Sequence, residues 1–590
     1  VKRFITILVW IVVSIFFLLF AASVYLYIEA DRLATGYIKN FLAKEPLKGH
    51  VIGFSDFEFS ILDRSVKLDS VYILPDTTIS GKRSSSLDQL QVNLVVKNLQ
   101  VKGISLIRLL INRVVKVDAC IINHPGGYVR IGKKDKFEEE EKQQGDTPQS
   151  TLKKKPPLRK IKFGLLDLSH ADIIIFGEGD QDTLIISKDL NFQLSALAVN
   201  MNKLDEMDEA LSMEAIKLDS RDFEMILPGK YYDLVLSSID VEEADSTITM
   251  GSLKLIPRYS KKEFGYEFGR QMDRFDVSVD EILVRGIDLP CLLFSGAFRA
   301  SYIEVKGPYA DIYRDKNVPR KNEKIKPLLN ELVVGMKLPI TIDSLRAFDA
   351  HVVYEEVPEG KHDPGVVFIN NFNLVVSNIT NDPERITGNA KMELNGGFLL
   401  EGAGPAHVQI SYPLDNLSKR YSYTVDIAGM SLARLNPWLS PQAGLFIKTG
   451  DLRRARFEIS ATSDSAWGNA YMVYEGLNMK VLKKNPKHED RQVNKFFSGL
   501  ANSLMHKDNP SKKTGAERVG LITFERDKYK SMIGFLVKPM MQGMKRIIIP
   551  VDNNVEKIEH LSPRMKKKEE QISAKKAKKL KKLEERNSRK

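Results

Sequence analysis

Two periodicities share this chain. From Ser65 to Leu74, SVKLDSVYIL, and from Leu90 to Val96, LQVNLVV, apolar and polar residues alternate one for one, as in strands with one buried and one wetted face. The pattern predicts strands from about residue 65 to about residue 484, broken by short helical spacings. It also repeats. VKGISLIRLLINRVVKVDACIINHP, 101–125, is echoed by VRGIDLPCLLFSGAFRASYIEVKGP, 284–308, with Gly and Pro 22 residues apart in both and an offset of 183. SVYILP at 70 and SLKLIP at 252 match at an offset of 182. ADII at 171 with NFQL at 191 match AHVV at 350 with NFNL at 371, at offsets of 179 and 180. Landmarks at near-constant offset mark a tandem duplication, and GMSLARL at 429 is a fainter third echo of GISLIRL at 103.

The helical spacings are fewer. Ser105 and Asp288 stand at matched N-cap positions before LIRLLI and LPCLLF, and Pro290 suits a first helical turn. Residues 31–48 place Leu33, Tyr37, Phe41 and Leu42 on one side. Near the C-terminus, Ile533, Leu536, Met540, Met544 and Ile547 share a helical face over 528–549, with Lys538 and Lys545 opposite. Such a helix packs on the end of the body or lies on a membrane surface, and the pattern leaves both open. Phe4–Ile28 runs 25 residues without a charge, about 37 Å as a helix against a hydrocarbon core of about 30 Å. Lys2 and Arg3 before it, with Glu29 and Asp31 after it, orient an anchor with a cytoplasmic N-terminus. Ala21, Ala22 and Ser23 admit the alternative of a cleaved signal peptide, although the apolar run exceeds the usual length of one.

Charge alters the picture once it is located. The 590 residues carry a net +12, but 564–590 alone holds thirteen Lys/Arg against four Glu, so the remaining chain sits near +3 and shows no polyanion footprint. Nucleic-acid binding is therefore disfavoured. Residues 132–157, with charge blocks and almost no apolar positions, are expected to be a disordered insertion. The two cysteines, Cys120 and Cys291, sit in apolar runs at non-equivalent positions and read as buried hydrophobes. No nucleotide loop, zinc spacing or nucleophile motif is present. Asp167, His170 and Asp172 form the nearest polar cluster, which an alternating strand places on its wetted face. The sequence thus names no catalytic, metal or cofactor residue, and an enzyme is not expected.

The anchor, followed by LDSVYILP, LQVNLVVKNLQVKGISLIRLL and VDACIINHP, and later MSLARLNPWLSPQAGLFIKTGDLRRARFEIS at 430–460, resembles the AsmA-like envelope proteins, relatives of the TamB group and of the chorein-type bridge-like lipid-transfer proteins. The resemblance implies an inner-membrane protein whose periplasmic β groove carries phospholipid toward the outer membrane. The expected fold is mainly β: an elongated, repetitive antiparallel sheet curled into a groove, with short helices, after an N-terminal transmembrane helix. Its divisions are an anchor at 1–30, a first repeat at 31–230, a second at 231–385, a C-terminal module at 386–484, an irregular segment with the amphipathic helix at 485–563, and a basic tail at 564–590. Val92, Leu94, Val96, Val353 and Phe372 are the candidate groove residues. Ile533, Leu536, Met540, Met544 and Ile547 are the candidate membrane contacts, and the tail is a candidate for anionic head groups. The rival reading is an anchored assembly scaffold with closed β-sandwich cores and no lipid.

Overall fold

In the computed structural model the described residues are 50–549, except 56, 61–63, 76–90, 104, 106–113, 131–158, 177–182, 201–210, 228–229, 243, 321–324, 388–389, 416–419, 484–491 and 494–504. The proposed anchor, the 31–48 helix, the LIRLLI segment, the whole of the insertion and the basic tail lie outside them. Among the described residues no helix is long and apolar enough to cross a membrane.

The chain is mainly β, and its strands form one continuous ladder with few short helices. β1 (His50–Phe54) and β2 (Phe57–Ser60) lie end to end on β3 (Ser65–Pro75), followed by β4 (Gln91–Lys102), β5 (Val114–Arg130) and β6 (Lys160–Phe176). β7 (Thr183–Ser195) and β8 (Ala198–Asn200) share the next rung. β9 (Leu211–Ser212) and β10 (Ala215–Ile226) share the one after, and β11 (Tyr232–Glu242) follows. Three shared rungs come next: β12 (Thr247–Met250) with β13 (Leu253–Pro257), β14 (Arg274–Val279) with β15 (Glu281–Arg285), and β16 (Phe298–Lys306) with β17 (Tyr309–Asp315). β18 (Ile340–Val357), β19 (Gly365–Thr380), β20 (Lys391–Leu400) and β21 (Gly404–Pro413) lead to β22 (Tyr421–Ile427) with β23 (Met430–Ser431). The ladder ends with β24 (Leu445–Ala461), β25 (Ser465–Lys483) with the short β26 (Gln492–Val493) on its far end, and β27 (Val519–Glu525). At about 4.8 Å per step the ladder runs about 86 Å, several short strands sharing a rung.

The sheet is mixed, which corrects the expectation of a purely antiparallel one. β5 pairs parallel with β6, and β16 and β17 pair parallel with β18. The order antiparallel, antiparallel, parallel, antiparallel is traversed from β3 to β7 and again from β12 to β19. Matched details recur with it. Gly103 and Gly286 are both left-handed, at φ 69° and 62°. Ser105 N–H donates to Lys116 O at 2.9 Å, as Asp288 N–H does to Arg299 O at 3.1 Å. Asp288 also accepts from Cys291 N–H at 2.9 Å, capping a short helical turn at Cys291–Ser295. The third echo departs: a helical turn at Leu432–Leu435 follows Gly429, but β24 and β25 then pair antiparallel.

A parallel joint requires the chain to cross the sheet before re-entering it. After β17 the strap of residues 316–320 and 325–339 does so, carrying α2 (Leu329–Val334); the earlier α1 (Lys261–Glu267) sits against β14 and β17. α3 (Asn436–Ala443) follows β23, and α4 (Met532–Ile548) follows β27. Two apolar clusters result. One runs from Ile52 to Ile342, and the other gathers β19 to β27 with α2 and α4; Leu345 and Ile379 pack against both.

Candidate functional site, an apolar lane along the sheet

Residues paired directly across a ladder point to the same face, so cross-strand register can be followed from rung to rung. One such row runs Leu68, Leu99, Ile122, Leu168, Phe192, Leu218, Val241, Ile248, Val284, Ile303, Leu345, Val376, Leu394, Ile410, Tyr423, Ile459, Gly468, Ile522. Every member from β3 to β27 is apolar. Gly468 stands where a Cβ would lie 2.0 Å from the Glu458 carbonyl oxygen. One residue earlier or later on each strand, the opposite face reads Lys67, Gln100, Ile121, Asp167, Gln193, Lys217, Glu242, Thr247, Arg285, Tyr302, Ser344, Ser377, Glu393, Ser411, Ser422, Ser460, Trp467, Thr523. Ile121 is its one aliphatic member. The ribbon is therefore amphipathic along its whole length, and the apolar face is the candidate site.

Cover over this lane is uneven. Leu68, Leu99, Ile122, Val241, Ile248, Val284, Ile303, Val376, Ile410, Tyr423, Ile459 and Ile522 are buried, whereas Leu168, Phe192, Leu218, Leu345 and Leu394, scattered among them, are only partly buried. At the C-terminal end the strap lays Leu328 and Val333 on the lane, and Asn330 Nδ2 donates to Pro413 O at 3.4 Å. Phe535 and Ile547 of α4 fill it further, and Tyr423 Oη donates to Leu536 O at 3.0 Å. Burial pushes the Tyr412, Tyr421 and Tyr423 hydroxyls above their ordinary range. The strap is pinned beside α4 by the Arg320–Asp527 pair, with hydrogen bonds of 2.9 and 3.1 Å, and by Lys326 N–H donating to Lys528 O.

Along the first two-thirds of the ladder the strands change phase midway. In β6, Leu166 and Leu168 face the lane before His170, and Ala171, Ile173 and Ile175 face it afterwards. The switch residues have positive φ: His124 in β5, His170 in β6, Asp189 in β7, Asp222 in β10, Gly307 between β16 and β17, Asp349 in β18 and Asn371 in β19. These are bulges, which bend a strand and invert its alternation, and they lie side by side as a crease along the sheet. Beyond the crease a second apolar row runs Val92, Val129, Ile175, Ile185, Met225, Leu234, Leu255, Val277, Ala310, Val352, Ile369, Leu400. Val92 is buried and the others are half-buried.

The sequence candidates divide accordingly. Val92 belongs to the second row, and Leu94 and Val96 share its side of β4. Phe372 lies opposite Ala350, on the side of Val352. Val353 faces the other way, paired with Asp311 and Phe368, because the bulge at Asp349 inverts the phase; it is not a groove residue. Leu536, Met540, Met544 and Ile547 pack on the C-terminal cluster, so those four are packing residues rather than membrane contacts; only Ile533 of that set is exposed. Asp167 accepts from Gln193 at 3.3 Å on the wetted face. His170 Nδ1 lies 2.6 Å from Asp189 Oδ1, and Asp172 accepts from Asp189 N–H at 3.1 Å, so the polar cluster stabilises the crease. Cys120 is buried and its thiol is pushed up to about 12 by desolvation, while Cys291 is only partly buried. Among the described residues no three metal-ligand side chains gather.

No protein-family model matches the chain, and no curated protein matches it.

Proposed function

We propose that the apolar face carries the acyl chains of phospholipids along the sheet, in a protein held to the inner membrane by 4–28 with its body in the periplasm, moving lipid toward the outer membrane without catalysis. The observation behind this reading is the unbroken apolar row from Leu68 to Ile522, along which Leu168, Phe192, Leu218, Leu345 and Leu394 stay only partly buried although Val241, Ile248, Val284 and Ile303 among them are buried. Side chains such as Leu218 and Phe192 remain partly accessible although each is worth about 1.5–3 kcal/mol on full burial. A bound chain removes that exposure.

The test is to purify the full chain, remove detergent and identify phospholipid by mass spectrometry. Photo-crosslinkers at Phe192, Leu218 and Leu345 should capture it, while the neighbouring Gln193, Lys217 and Ser344 on the opposite face should not. An empty protein, or equal capture on both faces, would sink the proposal. A second reading, an assembly scaffold without lipid, is favoured by one observation: β19 to β27 with α2 and α4 already form a closed core.

A further inference from the structure

The last helix is apolar on two opposite sides. Phe535, Pro539, Gly543 and Ile547 of α4, four residues apart, are buried against the sheet. Ile533, Val537 and Met541 keep the same spacing on the far side and are 53%, 44% and 39% exposed, with the exposed Lys545 next in line. A helix that is apolar on both sides and wetted on one has a face still to be covered. The strap brings more apolar surface to the start of this stripe. Lys326 N–H donates to Lys528 O at 2.8 Å, and Arg526 Nη2 donates to Lys326 O. Ile325 and Tyr529, the neighbours of the two residues joined by that backbone bond, are both exposed.

The surroundings of the stripe are basic. Residues 505–549 hold ten Lys/Arg against four Asp/Glu, which exceeds the whole excess that the chain carries outside its tail. The carboxylates beside the helix start are already engaged. Asp527 pairs with both Arg320 and Lys530, and Asp464 pairs with Lys528. A second copy on this face would bring like charges together across a two-fold axis. Five partly exposed side chains also fall short of the roughly 800 Å² per partner that a stable dimer buries. A bilayer containing anionic lipid meets both features, since apolar side chains enter its head-group boundary while lysines reach the phosphates.

We propose that this face docks the C-terminal end of the ladder on an anionic bilayer surface, with Ile533, Val537 and Met541 entering it and Lys530 and Lys545 at the level of the phosphates. The docking stands on its own observations and does not need the lane to carry lipid. Joined to the lane reading it names the surface that the lane serves, because the apolar row ends at Ile522 on the strand that α4 covers.

The full chain is reconstituted in phosphatidylcholine nanodiscs and mixed with vesicles of equal phosphatidylglycerol and phosphatidylcholine, or of phosphatidylcholine alone. Flotation of the vesicles reads docking, which should favour the anionic ones by about tenfold or more. Val537→Asp should melt with the parent, since the side chain is exposed, and should dock about tenfold less. Its tail is unchanged, so equal docking by the variant would assign the binding to another part of the chain and overturn the proposal. Equal docking of the parent to both kinds of vesicle would overturn it as well. An environment-sensitive fluorescent residue at position 537 gives a reading that does not depend on the aspartate variant folding: its emission should shift to the blue only when anionic vesicles are added. A probe shielded before any vesicle is present means that another segment of the chain covers the face, and shielding that grows with protein concentration means that a second copy does; either overturns the proposal. Lipid on the detergent-purified chain separates the two readings. A chain that carries none yet docks keeps this face and loses the lane, and one that carries lipid without docking does the reverse.

Discussion

Asp222 shows how much one backbone conformation decides. At φ 50° it sits between Leu218, which faces the lane, and Phe223 and Met225, which face it only because the strand has changed phase. Asp, Asn and His tolerate the left-handed region better than most residues, and they occupy six of the seven crease positions with positive φ. Asp222→Val should cost about 1–3 kcal/mol, whereas Asp222→Gly should stay within about 1 kcal/mol of the parent, strain relief offsetting the added freedom of the unfolded chain. Urea unfolding of the two variants decides it; equal stabilities would mean that left-handed strain does not hold the crease. The same bulges limited what could be read from the sequence. Alternation identified Val92, Leu94 and Val96 on one side of β4, a stretch of constant phase. It failed at Val353, where Asp349 inverts the phase four residues earlier. The repeat alignment slipped there too. His170 N–H donates to Asn191 Oδ1 and Asp349 N–H to Asn373 Oδ1, so Asn191 corresponds to Asn373, not to Asn371. A slip of two preserves the face, which is why the pattern still matched.

Among the elements, α4 joins two tasks. Its amphipathic spacing was visible in the sequence, but its position was not, since that depends on a strand edge which periodicity does not describe. Gly520 and Gly543 let helix and strand touch: a Cβ on Gly520 would lie 2.1 Å from Gly543 O. From there Gln542 Oε1 accepts from Thr523 N–H at 3.0 Å, and Arg546 Nη1 donates to Leu521 O at 2.6 Å. These are outward-facing backbone groups of the last strand, and leaving them open would offer a template for another sheet. The double variant Gln542→Ala, Arg546→Ala should therefore self-associate with rising concentration while losing little stability, as light scattering and thermal unfolding would report. A monodisperse variant would show that the rest of the helix shields the edge without these caps. The outer side of α4, with Ile533, Val537 and Met541 exposed, remains free of that work.

Across the whole molecule, one apolar row passes through two regimes, and polar substitution separates them. Leu218 is only partly buried, although Val241 and Ile248 beside it along the row are buried; an aspartate there can turn its carboxylate toward water, so the cost to folding should be small. Tyr423 is 2% exposed beneath α4, with its hydroxyl bonded to Leu536 O. Tyr423→Asp would place an unpaired charge in a closed core, a loss of more than about 4 kcal/mol. If the lane carries lipid, Leu218→Asp should fold and melt close to the parent, yet lose crosslinking of lipid at Leu345, on the far side of the block, while Phe192 on the near side still captures it. Tyr423→Asp should fail to fold at all. Should Leu218→Asp unfold as readily as Tyr423→Asp, the middle is as closed as the end, and the scaffold reading takes the place of the lane. Should it fold and leave crosslinking unchanged on both sides, lipid does not travel along the row, and the apolar face serves storage or assembly instead of passage.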